Sequence, residues 1–545
     1  MKKKLIKKTT ERKEIERVKP EPIKVTIKKS EKSEKPELKQ VNASDNKILE
    51  AYTVDYEGVK TSVSIIENHK EFVLLYYLNY PDYGVGTKAL ISSLKQNIIS
   101  KANIGSERLM DLRLVETLKQ QFKQKAIELL DIELPELLPE YKNELVAILL
   151  QEMLGLGKIE LLLKDSNLEE IVINSVEEPL WVYHKKFGWL KTNIILPTEG
   201  ETQNYASIIA RRVGKQITTL NPLLDAHLVT GDRANATLFP ISTDGNTITI
   251  RRFRRDPWTV TDFIKNKTTS SDMMAMIWMS MALEQNILVS GGTGSGKTSF
   301  LNVCMPFIQP NHRVLSLEDT REIQLPDFLH WVPLVTRAPN PEGKGEISML
   351  DLLVNSLRMR PDRIVVGEVR RQREAEVLFE AMHTGHSVYT TIHANTADET
   401  IRRITHAPIS ISPSMLDAVN LNVVMFRNRR LGTRRILQIA EFIPEKRGGE
   451  EVIKPNVLFR WEPASDSIVK YAEPIRFYDE LALHTGLTRN EITKEIDEKK
   501  SVLDWMVKQN IRNVNEVGKT MALYYRYKQE VLDLVKKDSK PNYLT

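Results

Sequence analysis

The spacing of apolar positions changes several times along the chain, and each change indicates a different kind of element. Residues 46–85 are rich in β-branched and aromatic side chains and end at a Tyr-Pro-Asp-Tyr-Gly turn, which predicts a short strand-bearing unit. Leucines recur at helical spacing over 107–156, which predicts helices. Strand-like runs then alternate with a helix near 202–214, so we expect an α+β domain up to about residue 250.

The next two hundred residues alternate short apolar runs with helix-like segments. The strand-like runs are 286–290, 314–318, 364–367 and 388–392. Short buried strands that alternate with helices predict an α/β fold with a doubly wound, mostly parallel sheet. The last hundred residues predict a hairpin (457–461 and 468–471) followed by helices.

These patterns divide the chain into six predicted segments, in which an α+β N-terminal domain precedes the α/β domain. The segments are a basic flexible tail (1–45), a strand-bearing and helical subdomain (46–160), the α+β domain (161–252), a linker (253–262), the α/β core (263–450) and a C-terminal hairpin with helices (451–545).

Charge is distributed unevenly over the 545 residues. The whole chain carries +6, but residues 1–40 contain 15 Lys/Arg and 7 Glu, a local +8, which leaves −2 for the remainder. A near-neutral body argues against nucleic acid as a partner, because binding to phosphates needs clustered basic side chains. The tail is either a solvated charge run or a docking element for anionic lipid or for an acidic protein surface.

Cysteine content and hydropathy point to a cytoplasmic location. The single cysteine, Cys304, cannot form an internal disulfide, and no Cys-x-x-Cys pair is present to bind zinc. The most apolar stretch, residues 273–283, is far shorter than the roughly 20 residues that cross a bilayer. The N-terminal lysines are not followed by the apolar run of a secretory signal.

The strongest motif follows the first strand of the α/β region. Residues 287–298 read ILVSGGTGSGKT and match G-x-x-x-x-G-K-[ST]. Glycines let backbone N–H groups approach phosphates, Lys297 reaches the outer phosphates, and the Thr298 hydroxyl binds Mg²⁺. The predicted ATP-binding residues are Gly291, Gly292, Thr293, Gly294, Ser295, Gly296, Lys297, Thr298 and Ser299.

Acids follow two later strands, where an open α/β sheet binds its ligands. Glu318, Asp319 and Glu322 come at the end of the first run, and Glu318 or Glu322 could polarise the attacking water. Alternatively, Asp319 caps a helix and Glu322 is a surface residue. Glu368 ends the second run. Thr298, Asp319 and Glu368 are candidates to bind Mg²⁺ directly or through water. Alternatively, Glu368 is an exposed glutamate at a strand end.

A histidine follows the third run. His393 could donate a hydrogen bond to a phosphate oxygen and report whether that phosphate is present, although a lone histidine is more often structural. The predicted catalytic residues are Glu318, Glu322, Glu368, His393 and Lys297.

The order and spacing of these motifs resemble the secretion ATPase superfamily, which drives type II and type IV secretion, type IV pili and archaeal flagella. The resemblance covers about 168–445, with 318–322 similar to the aspartate box, 357–370 to Walker B and 383–395 to the histidine box. The segments 182–193, 335–346 and 358–363 resemble the archaeal branch, most closely the archaellum motor ATPase. The four-cysteine zinc insertion of some bacterial relatives is absent from the sequence.

The resemblance implies a RecA-like P-loop ATPase that hydrolyses ATP with Mg²⁺ as a homo-hexameric ring. It further implies a polytopic membrane platform protein and other cytoplasmic filament components as partners, at the inner face of the membrane. Arginines of a neighbouring subunit would complete each site, unless they are merely salt-bridged at the surface. The candidates are Arg211, Arg212, Arg233, Arg254 and Arg255.

Two other functions stay open at this point. One is a DNA-transfer motor of the same superfamily, and the other is a nucleotide-gated assembly scaffold with little turnover. The archaeal pilus and secretion pathways also remain alternatives to the archaellum.

Overall fold

The structure is a computed structural model of the whole chain, and it describes residues 46–56, 59–80, 84–101, 112–228, 231–253, 256–340, 343–447 and 450–541. The predicted basic tail lies outside the described residues. The described residues form two sheets of nine strands each, one in each half of the chain.

Nine strands and five helices lie in the described part of the N-terminal half. They are β1 (Asn46–Tyr56), β2 (Val59–Asn68), β3 (Leu75–Asn79), α1 (Val85–Lys101), α2 (Leu112–Glu133), α3 (Pro139–Leu154), α4 (Ile159–Lys164), β4 (Leu168–Ile173), β5 (Trp181–His184), β6 (Gly188–Thr192), α5 (Glu199–Arg212), β7 (Leu223–His227), β8 (Arg233–Thr237) and β9 (Thr247–Arg251).

The first sheet has the order β1-β2-β3-β6-β5-β4-β9-β8-β7, and its described pairs are antiparallel except β3 with β6. Strands on both sides of the predicted boundary at residue 160 therefore share one sheet and one hydrophobic core. The carboxylate of Asp165, buried after α4, accepts hydrogen bonds from the hydroxyls of Tyr52 (2.6 Å) and Tyr76 (2.8 Å). These bonds fasten β1 and β3 to the segment that leads into β4.

Helices α1, α2 and α3 pack on one another around a separate small core. Leu94, Ala126, Leu130 and Val146 are nearly or fully buried there. The leucine spacing that predicted helices in this region thus reflects the apolar faces that these helices turn toward their common core.

The C-terminal half starts with a connector and contains the second sheet. Its elements are α6 (Val260–Lys265), α7 (Ser271–Ala282), β10 (Ile287–Gly291), α8 (Lys297–Cys304), β11 (Val314–Glu318), β12 (Trp331–Val335), α9 (Met349–Ser356), β13 (Arg363–Val366), α10 (Gln372–His383), β14 (Ser387–Ile392), α11 (Ala397–Thr405), β15 (Leu421–Asn428), β16 (Thr433–Arg447), β17 (Glu450–Glu462), β18 (Ser467–Lys470), α12 (Arg476–Thr485), α13 (Arg489–Lys508), α14 (Val514–Arg526) and α15 (Lys528–Lys537).

The second sheet has the order β12-β11-β13-β14-β10-β15-β16-β17-β18. The strands from β12 to β15 are parallel, and β16, β17 and β18 extend the sheet in antiparallel pairing. Alternate residues of the parallel strands enter two cores: Ile364 and Val366 face one side and Val365 faces the other. The predicted α/β fold with a mostly parallel sheet, preceded by an α+β region, is confirmed.

The apolar run at 273–283 forms the buried helix α7. Its methionines and Trp278 lie between the second sheet and the C-terminal helices, where Trp278 Nε1 donates a hydrogen bond to the Tyr525 hydroxyl (2.8 Å). Among the described residues, no helix is long and apolar enough to span a membrane. A helix that is apolar on every face is here explained by burial inside the protein.

The predicted linker ends inside a helix. The side chains of Thr259 and Asp262 form a capping box that starts α6 at Val260, so the last residues of the 253–262 segment are helical. Arg254 and Arg255 lie outside the described residues.

Candidate active site

The glycine-rich segment connects the central strand β10 with helix α8. Gly294 (φ 70°) and Gly296 (φ 99°) have positive φ values, which glycine adopts without strain. A Cβ atom on Gly292 would lie 2.9 Å from Asn395 Oδ1, and one on Gly294 would lie 2.9 Å from Arg427 Nη1. The loop therefore needs glycine both for its turn and for the space around it.

Lys297 is held inside this loop at the start of α8. Its ammonium donates hydrogen bonds to the carbonyl oxygens of Gly291 (3.0 Å) and Gly292 (3.2 Å), and the residue is only 9% exposed. Burial lowers the pKa of Lys297, while the nearby negative charge of Glu368 opposes that shift. A buried cation that is bonded only to carbonyls in the described contacts is well placed to bind an anion.

Glu318 and Glu322 have different environments, although Glu318 is the last residue of β11 and Glu322 lies only four residues later. Glu318 is 2% exposed, and its Oε1 accepts hydrogen bonds from the backbone N–H groups of Glu322 (2.8 Å) and Ile323 (2.9 Å). Burial raises the pKa of Glu318 to about 7, against the lowering effect of those two bonds. Its Oε2 is buried without a partner. The Glu322 side chain is exposed.

Asp319, Glu368 and His393 come together at the carboxyl ends of β11, β13 and β14. Arg370 bridges the two acids: its Nη1 donates to Asp319 Oδ2 (3.0 Å) and its Nη2 to Glu368 Oε2 (2.6 Å). His393 Nε2 lies 2.9 Å from Glu368 Oε1. Asp319 also accepts a hydrogen bond from the Thr336 hydroxyl (3.2 Å). Asp319 is thus part of the acid cluster, and its described bonds cap no helix.

The charge state of His393 follows from these neighbours. Burial and the positive charge of Lys297 lower its pKa, and the charge of Glu368 opposes them. A neutral imidazole with its proton on Nε2 fits the short contact with Glu368. Glu368, Arg370 and His393 line a cleft of about 260 Å³, together with Arg403 and Ile409.

The donor set fits a nucleotide with Mg²⁺. Within the described part of the chain, no group of three or more His, Cys, Asp or Glu side chains could hold a metal ion by itself. Mg²⁺ in nucleotide sites typically takes one or two protein oxygens and completes its shell with phosphate and water. Thr298 beside the loop and the acids Asp319 and Glu368 offer such oxygens, and Ser295 Oγ is buried in the loop without a partner.

The described arginine candidates all lie in the N-terminal half. Arg211 and Arg212 end helix α5, where Arg211 Nε donates to the Ser207 carbonyl (3.3 Å) and Arg212 pairs with Glu160 (3.7 Å). Arg233 begins β8 and pairs with Asp225 (3.0 Å) on the neighbouring strand. Their described partners are residues of the N-terminal half, so the site described above does not include these arginines.

Sequence reasoning missed two arginines that flank the P-loop. Arg427 and Arg434 are directly opposite each other on β15 and β16, and Arg434 Nε donates to the Gly294 carbonyl (3.1 Å). Burial, and then the charge of Arg427, lower the pKa of Arg434. The available signal was the arginine-rich segment at 427–435, but only the pairing of β10 with β15 brings it to the loop.

Comparisons with known proteins agree with this geometry. Residues 231–435 match the family described as type II/IV secretion system protein. An uncharacterized protein of the archaeon Methanocaldococcus jannaschii is 34% identical over 381 residues, which cover 66% of this chain and 68% of that protein. Conjugal transfer protein TrbB of Rhizobium radiobacter is 30% identical over 50% of this chain and 81% of its own length.

Solved structures give a more distant likeness. The pilus retraction motor PilT with bound ADP is 18% identical over 71% of this chain and 98% of that chain, with a TM-score of 0.37. The family match and the two relatives, rather than this likeness, carry the assignment. The chain therefore belongs to the type II/IV secretion ATPase family.

Proposed function

We propose that this protein hydrolyses Mg-ATP at the carboxyl edge of the second sheet and uses the energy to drive an archaeal surface filament. The observation that carries the proposal is the placement of Lys297: a buried ammonium inside a glycine-rich loop, within electrostatic range of Glu368 and His393. Such a group neutralises charge on a transferred phosphoryl group, which is the largest protein contribution in this chemistry.

Glu322 is our candidate to orient the attacking water. Its side chain is exposed, whereas the Glu318 carboxylate is buried and already accepts two backbone hydrogen bonds. We assign Glu318 the role of shaping the turn that presents Glu322. The sequence left the choice between Glu318 and Glu322 open, and we propose Glu322 because its side chain is the accessible one.

Glu368 and His393 are proposed to respond to the outer phosphate. The Glu368 carboxylate is shared between Arg370 and His393, so a change in charge near Lys297 alters the balance between these two partners. When bound, Mg²⁺ would withdraw charge from the phosphate oxygens. Thr298 would hold it directly, and Asp319 and Glu368 would do so directly or through water.

The N-terminal arginines are proposed to act between subunits of a homo-hexamer. Arg233 is half exposed, and its ion pair with Asp225 is a surface pair that can exchange partners at low cost. Arg211 is likewise exposed. We keep Arg212, Arg254 and Arg255 as further candidates of the same kind.

The filament assignment rests on the archaeal character of the motifs and on the archaeal relative. We propose the archaellum as the filament, a polytopic membrane protein as the platform on which the N-terminal half pushes, and further cytoplasmic components of the machine as partners. The basic residues within 1–40 would dock the motor at the inner face of the membrane. Archaeal pilus assembly and type II or IV secretion are the alternatives within the family.

A DNA-transfer motor is the second candidate, because relatives of this chain are named conjugal transfer proteins. The near-neutral charge after residue 40 disfavours it. A scaffold with little turnover is the third candidate.

One experiment separates the three functions. Phosphate release by the purified chain is measured alone, with platform protein in detergent, and with single- or double-stranded DNA at physiological salt. We expect turnover that rises with the platform protein and not with DNA. Stimulation by DNA alone would favour the transfer motor, and negligible release in every arm would favour the scaffold.

A further inference from the structure

The loop between β11 and β12 carries Glu322 and is held from three sides. The first contact comes from the loop's own start, where the Glu318 carboxylate accepts the N–H groups of Glu322 and Ile323. Ile323 and Leu325 of the loop are buried in the hydrophobic core beneath it. The first part of the loop, which includes the backbone of Glu322, is thus fixed in place.

The second contact comes from the P-loop helix. Asn302 on α8 donates a hydrogen bond through Nδ2 to the Glu322 carbonyl (2.9 Å) and accepts one at Oδ1 from the Gln324 N–H (2.7 Å). This pair of bonds keeps the backbone of Glu322 at a fixed place beside α8. The helix that begins with Lys297 is therefore connected to the loop that carries the water-orienting candidate.

The third contact comes from the C-terminal helix α14, which the sequence did not connect with the site. Asn515 Oδ1 accepts the Asp327 N–H (2.9 Å), and Asn515 Nδ2 donates to Asp327 Oδ2 (2.7 Å). One turn later, a Cβ atom on Gly518 would lie 2.5 Å from Pro326 Cγ. Residues three apart share one helix face, so this face of α14 fits closely against the loop.

The start of α14 is itself anchored to the segment that leads into the core. Arg512 donates to Asp262 Oδ1 (2.8 Å) and to Asp256 Oδ2 (2.7 Å), and the Ile511 carbonyl accepts a hydrogen bond from the Thr261 hydroxyl (2.9 Å). These bonds place α14 independently of the loop. The helix can therefore act as a fixed support for residues 326–327.

We propose that Asn515 is a positioning residue for ATP hydrolysis: together with Gly518 it fixes the loop at Asp327 and thereby the place of the Glu322 carboxylate. This inference rests on the proposed function. The C-terminal helices then contribute to turnover although the residue concerned lies almost two hundred positions after Glu322. A displacement of about 1 Å at a reacting group can lower a rate by about 100-fold.

The test compares Asn515→Ala with Lys519→Ala in the full-length chain. Lys519 is exposed on the same helix and serves as the matched control. We expect kcat for phosphate release to fall about 10- to 100-fold in Asn515→Ala. The Kd for a non-hydrolysable ATP analogue should stay within about twofold, because the P-loop is untouched. Lys519→Ala should match the wild type in both.

Two further variants keep the inference testable if Asn515→Ala folds poorly. Gly518→Ala leaves the Asn515 amide in place but forces Pro326 away, so kcat should fall here too while analogue affinity is retained. Asp327→Ala should lower kcat, and adding Asn515→Ala to it should cost little more, since the two side chains act through one pair of bonds.

The outcomes differ clearly. Wild-type kcat in both Asn515→Ala and Gly518→Ala would overturn the inference, and so would a parallel loss of analogue affinity, kcat and melting temperature, which is the sign of a purely structural role. Turnover by the wild type that Lys297→Ala abolishes tests the proposed function by itself, so a failure of Asn515 to matter would leave that function standing.

Discussion

The two nine-stranded sheets differ in where they place their charged side chains. In the first sheet all described pairs but one are antiparallel, and Arg233 on β8, like Arg211 on helix α5, lies exposed with a partner of its own half. In the second sheet six of the described strands are parallel; Glu318 ends one of them, and Glu368 and His393 follow the same ends of two others. Parallel pairing brings residues from distant parts of the chain to one edge.

The difference explains why the residues of the candidate site come together within one half, whereas the arginines of the other half do not join them. Antiparallel neighbours run in opposite directions, so consecutive strands end at opposite edges of the sheet. The polar groups of the first sheet are thus dispersed, and we infer that they reach a nucleotide only across a subunit boundary. Substitutions confined to one sheet therefore test this difference between the two halves.

The largest effect is expected at Glu368 in the second sheet. Glu368→Gln removes the charge that binds both Arg370 and His393, and kcat for phosphate release should fall about 1,000-fold. Glu376→Gln, an exposed acid on α10, is the control and should leave kcat unchanged. A Glu368→Gln variant with kcat near the wild type would remove this acid from the mechanism.

A smaller loss is expected at Glu322. Glu322→Gln should lower kcat about 100-fold, the usual contribution of a general base, while the melting temperature stays unchanged because the side chain is exposed. The exposed Glu346 provides the control variant Glu346→Gln. If Glu322→Gln retains full activity, the water is oriented by another group, and Glu318 becomes the next candidate.

A substitution of an arginine in the first sheet should lower turnover only when the subunits are assembled. Arg233→Ala should lower kcat about tenfold or more when subunits are assembled, because an arginine supplied in trans stabilises transition-state charge. Loss of its surface ion pair with Asp225 should lower the free energy of unfolding by less than about 1 kcal/mol. Arg251→Ala, directly opposite on β9, is the matched control. If the wild type has the same kcat at dilute and at assembling protein concentrations, a role of Arg233 in trans is contradicted.

The smallest effect on turnover is expected at Glu318, whose signature is the pH dependence of stability. Burial raises its pKa to about 7 from an ordinary 4.5, so the folded state binds the proton more tightly than the unfolded state. That contribution is fully present below pH 4.5 and is lost as the pH rises through 7, up to about 3 kcal/mol. Unfolding free energies of the wild type and Glu318→Gln should therefore diverge across this range, and parallel pH profiles would show that folding does not raise the pKa of this carboxyl.

Local features of the site could be predicted from the sequence. The runs before Gly291 and Glu318 are apolar except for the buried Ser290 and Ser316, because both faces of a parallel sheet are buried, and that pattern is visible without a structure. The glycine spacing likewise indicated the P-loop, since only small residues fit its turn. The acids were placed correctly at strand ends.

Contacts between distant segments could not be predicted. The pairing of β3 with β6 joins residues more than a hundred positions apart and merges two predicted units into one sheet. The pairing of β10 with β15 brings Arg427 and Arg434 to the P-loop, and Asn515 reaches the loop after β11 from the C-terminal helices. No local pattern encodes such neighbours, because they depend on strand order and helix docking.

The most direct test of the site is phosphate release by the wild type and by Lys297→Ala, measured with Mg-ATP at equal protein concentration after both have shown the same melting temperature. The buried ammonium in the P-loop predicts turnover in the wild type and none above background in Lys297→Ala. Equal turnover in the two proteins would contradict the assignment of ATP hydrolysis to the carboxyl edge of the second sheet.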